Sequence, residues 1–180
     1  VGHIALLVAN RSLHIAINLS PADVRTARVL PVIEKTLQHT GIRLRQIWLE
    51  ATERGFVDVD SARSTVIHPR ELGHTVAIDD FDTGYSSLSH LEGLPLDALK
   101  IDKSFIDTIA TDSATSSVTP HIIDLAKTLK LKIIAEGVET QAQADYLMER
   151  DVDYGQGWLF AKPMPAAEFI AYCRKAKLPA

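Results

Sequence analysis

The chain has 180 residues, 46% hydrophobic and 23% charged, a balance that excludes a disordered chain and allows one globular domain with a substantial core. A formal net charge of −4 argues against general electrostatic binding to a nucleic-acid polymer, while a local phosphate site stays open. The single cysteine, Cys173, excludes an internal disulfide and cysteine-rich zinc sites, and it fits a reducing compartment.

No apolar run approaches the ~18 residues of a membrane span. The start, Val1 to Leu7, lacks both an initiator Met and a basic leader and begins in mid-pattern, so a fragment of a longer protein is expected. Residues 1–9 read as the end of an apolar helix. His14 to Ser20 reads as a strand ending in Asn18. Ser20-Pro21 is a helix start, with Ser as N-cap and Pro at the first position. That helix should reach about Gln38, bend at Pro31 and close at Gly41.

Gln46 to Glu53 is a second strand that ends in acid. Ser61 to Leu72 reads as a helix broken near Pro69 and stopped by Gly73. The apolar run Val76-Ala77-Ile78 suits a strand buried on both faces, yet it ends in Asp79-Asp80. A buried pair of carboxylates needs compensating charge, and a divalent cation is one source. The bland reading is a solvated turn. Tyr85 to Leu94 reads as a short helix, and Ala98 to Lys103 as a fourth strand with Lys100 and Asp102 on one face. A short helix over Phe105 to Ala110 and a polar loop over 111–117 follow. Ile122 to Leu129 carries helical spacing, Lys132 to Glu139 is a fifth strand and its loop, and Thr140 caps a helix to about Arg150. Tyr154 to Phe160 reads as a sixth strand, before a last helix with Phe169, Ile170 and Cys173 on one face.

Strand–helix alternation argues for a parallel sheet with right-handed crossovers. Asn18, Glu50, Asp79, Asp80, Lys100, Asp102, Glu136 and Gln156 fall at the C-terminal ends of the strands. A (β/α)8 TIM-like barrel brings such residues to one centre, whereas a doubly wound open sheet spreads them along an edge. No Gly-x-Gly-x-x-Gly follows a strand, so the barrel is preferred. It is incomplete in this chain, with about six βα units. Asn18, Glu50, Asp79, Asp80 and Glu136 offer only oxygen ligands, which select Mg²⁺ or Mn²⁺ over zinc. A two-metal site of that kind suits phosphoryl displacement, with Lys100 orienting water or neutralising phosphate charge.

Six ordered stretches now carry a resemblance across nearly the whole chain. They are Asn18-Leu19-Ser20, Leu49-Glu50-Ala51-Thr52-Glu53, Asp79 to Leu88, Leu99 to Ile106, Ala135 to Thr140 and Gln156 to Pro163. The chain resembles the EAL domain family, the cyclic di-GMP phosphodiesterases. The resemblance implies hydrolysis of cyclic di-GMP to linear pGpG with Mg²⁺ or Mn²⁺ in bacterial second-messenger signalling. Asn18 and Glu50 look like ligands of a first metal, Asp79 like the bridge, and Asp80 and Glu136 like ligands of a second. Lys100 looks like the residue that positions the catalytic water. Glu53 looks like the anchor of the loop Asp82–Ser87, which in the family shapes the metal site and often a homodimer contact. Glu139 looks like a supporting acid, and Gln156 and Asp102 like substrate or water contacts. The family also implies a bacterial cytoplasmic setting, often with an upstream sensory or membrane domain.

Two departures stand out. The family's Glu-Ala-Leu segment, which supplies a further metal ligand and an Arg that helps hold substrate, has no counterpart here. Asp82 stands where the family usually has Gly. They motivate a rival reading, a catalytically inactive module that binds cyclic di-GMP or a protein partner; a hydrolase for another phosphodiester is a third. Little or no activity is expected of these 180 residues alone. Several residues have plainer readings: Glu53 and Glu139 as acids near helix starts, and Asp102 as a partner of Lys100 or Lys103. The His residues show no metal-ligand spacing. Trp48 and Trp158 read as core residues rather than platforms for guanine, and Cys173 as inert.

Overall fold

The computed structural model describes residues 13–26, 28–52, 59–81, 94–109 and 118–175. Six strands pair in parallel and in sequence order: β1 (Ile15–Leu19), β2 (Ile47–Thr52), β3 (Thr75–Phe81), β4 (Ala98–Ile101), β5 (Lys132–Glu136) and β6 (Tyr154–Gln156). Between and after them run α1 (Pro21–Thr26), α2 (Val29–Leu37), α3 (Val59–Leu72), α4 (Lys103–Ile106), α5 (Val118–Thr128), α6 (Gln141–Met148) and α7 (Ala166–Lys175). The expected helices over 1–9 and 85–94 and the loop over 111–117 lie wholly or almost wholly outside the described residues.

Side-chain alternation divides the sheet into two faces. Leu49, Ile78, Leu99, Ile101, Ile133 and Ala135 face the helices and are at most 2% exposed. The other parity forms an interior of its own. Trp48, Ala77, Ala98 and Ile134 pack together there. A flat sheet of six strands would hold its edges about 24 Å apart, five spacings of ~4.8 Å. Here His14, just before β1, meets Tyr154 of β6 with ring centroids 5.4 Å apart. The sheet therefore curls until its two edge strands face each other across the interior, which makes an incomplete (β/α)8 barrel.

Trp48 is the hinge of that closure. It stacks on His14 at 4.0 Å and meets the edge of Tyr154 at 5.4 Å, with the Lys132 ammonium 5.2 Å from its ring centre. These four side chains plug the N-terminal end of the interior. Ala77, Ala98 and Ile134 form the layer above, and the charged rim lies above that. Layered filling of this kind is how small barrels are made solid.

Local chemistry explains most element ends. Ser20 caps α1 reciprocally: its Oγ accepts from the Asp23 N–H at 3.2 Å, while the Asp23 carboxylate accepts from the Ser20 N–H at 3.1 Å. The long first helix expected from the sequence is two. The break precedes Val29, and Pro31 sits in the first turn of α2, where its missing N–H costs little. No break occurs near Pro69 either, for α3 runs through it to Leu72. Pro69 lies in the final turn, and its carbonyl accepts from the His74 N–H at 3.0 Å while Arg70 accepts from Gly73 at 2.9 Å. That paired closure requires the φ of +102° that Gly73 supplies. Thr140 caps α6 as expected, in a box with Gln143.

Burial, then the Lys132 ammonium, hold the His14 imidazole below its ordinary pKa. The unfolded chain therefore binds a proton at His14 more readily than the folded one, and stability falls as pH drops through about 6.5. We expect urea midpoints to fall between pH 7.5 and pH 5.5 for the native protein, and the fall to be smaller for His14→Gln. An identical pH dependence in both would contradict the placement of His14 in the plug.

Candidate active site at the strand ends

The interior parity that carries Trp48, Ala77, Ala98 and Ile134 continues one step further to Glu50, Asp79, Lys100 and Glu136. Four strands thus deliver four ionisable groups to one rim. The Lys100 ammonium lies 2.7 Å from a Glu50 oxygen, 3.0 Å from Asp79 and 2.6 Å from Glu136. The lysine side chain is 3% exposed, and Glu136, at 21%, is the most open of its partners. One cation faces three carboxylates, so the cluster carries surplus negative charge when all are ionised. Burial alone would lower the Lys100 pKa, but its contacts with Glu136 and Glu50 override burial and hold the ammonium above its ordinary range. Burial pushes Glu136 upward, and the neighbouring Asp79 and Glu50 charges add to that against the pull of Lys100.

A bulge sets Asp79. Ile78 pairs with Leu99 and Phe81 with Ile101, so three steps on β3 oppose two on β4. Ile78 and Phe81 both belong to the helix-side core, which a regular strand forbids for residues three apart. The extra residue absorbs the mismatch, as bulges beside active sites commonly do. Asp79, directly after Ile78, is left facing the interior. The expectation that the strand stops at the aspartates therefore changes: β3 runs through Asp79 and Asp80 to Phe81. Asp80 lies on the strand, but its side chain is outside the described set, as are Glu53 and the loop Asp82–Ser87.

Asn18 is exposed on β1 and stands in register with Glu50. Gln156 ends β6 in register with Glu136 and shares a cavity with it. Glu139 lines the same cavity, 3.1 Å from the Lys103 ammonium. Asp102 departs from the expected face. The strand ends at Ile101, and the Asp102 carboxylate caps α4 by accepting from the Ser104 N–H at 2.9 Å. Burial would raise its pKa, but the Ser104 hydrogen bonds and the nearby Lys103 bring it below the ordinary value.

The sixth strand is shorter than its apolar sequence suggests. It stops at Gln156, because a Cβ on residue 157 would land on the Val138 backbone and only Gly fits that approach. The chain turns there, with the Phe160 N–H donating to Gly157 at 3.1 Å and the Leu159 N–H to Val138 at 3.0 Å. Trp158, expected in the core, is 60% exposed, whereas Trp48 is 3% exposed. Sequence reading also missed His14, Lys132 and Tyr154 as the side chains that gather around Trp48, with Lys132 and Tyr154 still exposed at that end. A signal existed, since His14 shares its parity with Asn18, Lys132 with Glu136 and Tyr154 with Gln156.

The donor set fits a hard divalent cation in chemistry, being all oxygen with surplus negative charge. Among the described residues, no group of three or more acids or histidines is arranged to hold a metal ion; Glu50, Asp79 and Glu136 each face the Lys100 ammonium. No helix of the described residues is long and apolar enough to cross a membrane.

Comparisons with known proteins identify the family. The EAL domain model matches residues 2–163. "Probable cyclic di-GMP phosphodiesterase PdeB" of Escherichia coli K12 is 44% identical over 162 residues, covering 90% of this chain and 31% of its own length. The chain spans less than a third of the length of curated relatives it matches. The PaMucR phosphodiesterase, solved as a c-di-GMP complex, superposes with a TM-score of 0.84 at 35% identity, over 93% of this chain and 69% of that one. Klebsiella pneumoniae BlrP1, solved as a manganese/cy-diGMP complex, gives 0.77 at 28% identity, over 90% of this chain and 41% of that one. A family model that covers most of the sequence, and solved EAL relatives that share its curled parallel sheet, establish that the chain belongs to the EAL domain family.

Proposed function

We propose that this domain, in its intact protein, hydrolyses one phosphodiester bond of cyclic di-GMP to give linear pGpG. The observation that carries the reading is the convergence of Glu50, Asp79 and Glu136 on Lys100 at the strand-end rim. Membership of the family, and relatives that bear the phosphodiesterase name, support it. Asn18, Glu50, Asp79, Asp80 and Glu136 are the residues that would hold Mg²⁺ or Mn²⁺. When bound, such ions lower the pKa of water and neutralise charge on a phosphoryl group in flight.

The chain's own residues supply the rest. Lys100 is held cationic, so it is a hydrogen-bond donor rather than a proton acceptor, and it suits orienting a water or steadying a phosphate oxygen. Glu136 is the most open of the three acids and lies on the same cavity as Gln156 and Glu139. Substrate would approach from that side. Gln156 can donate to a phosphate or ribose oxygen and accept from a base. Glu139 and Lys103 pair at 3.1 Å on the wall of that cavity. Asp102 acts through α4, whose start it caps.

Incubation of the intact protein with cyclic di-GMP and Mg²⁺ or Mn²⁺ should give pGpG, and a chelator should abolish it. Absence of product under either metal would overturn the reading. A second test needs no turnover. Lys100→Met leaves three acids without their cation, and a broken buried pair costs about 3–5 kcal/mol. The metal-free melting temperature should fall, and added Mn²⁺ should raise it more in the variant than in the native protein. A variant that melts like the native protein and ignores Mn²⁺ would contradict a metal-binding role for these acids.

A further inference from the structure

Trp158 is a large apolar side chain that the fold keeps out of its core. The loop that carries it is fixed on both sides. Gly157 sits against the Val138 backbone, the Leu159 N–H donates to Val138 at 3.0 Å, and the Ala161 N–H donates to Gly157 at 3.2 Å. Leu159 packs on the helix-side core and the Tyr172 hydroxyl donates to the Phe160 carbonyl at 3.2 Å. The indole is therefore presented by a pinned turn. It borders a cavity of about 640 Å³ shared with Glu136 and Gln156, two of the rim groups assigned to the reaction. Lys162, on the same wall, places its ammonium 5.2 Å from the indole centre.

Exposed apolar residues scattered singly need no explanation. An aromatic carried by a fixed turn on the wall of this cavity, with a cation over its ring, has a specific use. It offers a π face with little left to order on binding. A purine fits that face, and its phosphate would lie within the reach of a neighbouring lysine.

We propose that Trp158 is a stacking platform for one guanine of the dinucleotide, with Lys162 beside it as the cation for the attached phosphate. The inference rests on the hydrolase reading for the identity of the ligand. It goes beyond it by naming a base-recognition residue that the sequence placed in the core.

The test is calorimetric titration of the intact protein with linear pGpG in the presence of a chelator, so that binding is read without turnover. Trp158→Leu keeps an apolar side chain but removes the ring, and Trp158→Phe keeps a smaller ring. Loss of base–aromatic stacking is worth ~1–3 kcal/mol, which at 1.4 kcal/mol per tenfold is a weakening of about 5- to 150-fold. We expect that weakening for W158L, and affinity within about threefold of native for W158F, with Lys162→Ala intermediate. Native-like affinity in W158L would overturn the proposal, as would failure of the native protein to bind pGpG. A structural role for the indole would lower the melting temperature of W158L and leave affinity unchanged, and that result also overturns it. Ring-dependent binding without hydrolysis of cyclic di-GMP would leave this inference standing and remove the hydrolase reading.

Discussion

The rim depends on one buried ammonium. Lys100 enters the interior from β4 and meets carboxylates from β2, β3 and β5 within 3.0 Å. A carboxylate placed in an interior without a partner is costly, and here three of them share one cation. Together they hold the lysine cationic, and it holds them in place. The arrangement is stable only if all four strands keep register, because a slip of one residue would turn each group to the helix side. Charge pairing and register are thus the same constraint at this layer.

Beneath it, register is enforced by shape. Trp48 fills the narrow end of the interior and touches side chains from both edges of the sheet. Alanines at 77 and 98 leave room for that indole, and Ile134 completes the layer. The glutamate two residues beyond Trp48 is then lifted to the rim without freedom to turn. The bulge in β3 is the one irregularity at this height. It reconciles a helix-facing Phe81 with an interior-facing Asp79, and so it brings that carboxylate to the rim without breaking the core.

Much of this was legible in the residues. Apolar runs that end in Asn18, Glu50, Asp79 and Glu136 have no use for those groups unless the ends converge, and a barrel makes them converge. Parity then identifies Lys100 as their neighbour. Other features depend on contacts that no local pattern encodes. Asp102 shares parity with Lys100, yet the strand ends between them because Asp102 is a better helix cap than a strand residue. Trp158 belongs to an apolar run that reads as strand. What keeps it outside is the fit of Gly157 against Val138, residues nineteen positions apart that meet only when β5 and β6 pair. Pro31 and Pro69 misled in the same way, since each lies in a terminal turn where a helix tolerates it.

The central claim is that Lys100 and the carboxylates of the rim form one energetic unit. A double-mutant cycle tests it directly, with Lys100→Met, Glu50→Gln and their combination unfolded in urea without divalent ions. Independent sites add to within about 0.5 kcal/mol, while buried charged partners do not. The account predicts a coupling of at least about 1.5 kcal/mol, with the double variant less damaged than the sum of the singles. Additive losses would contradict it.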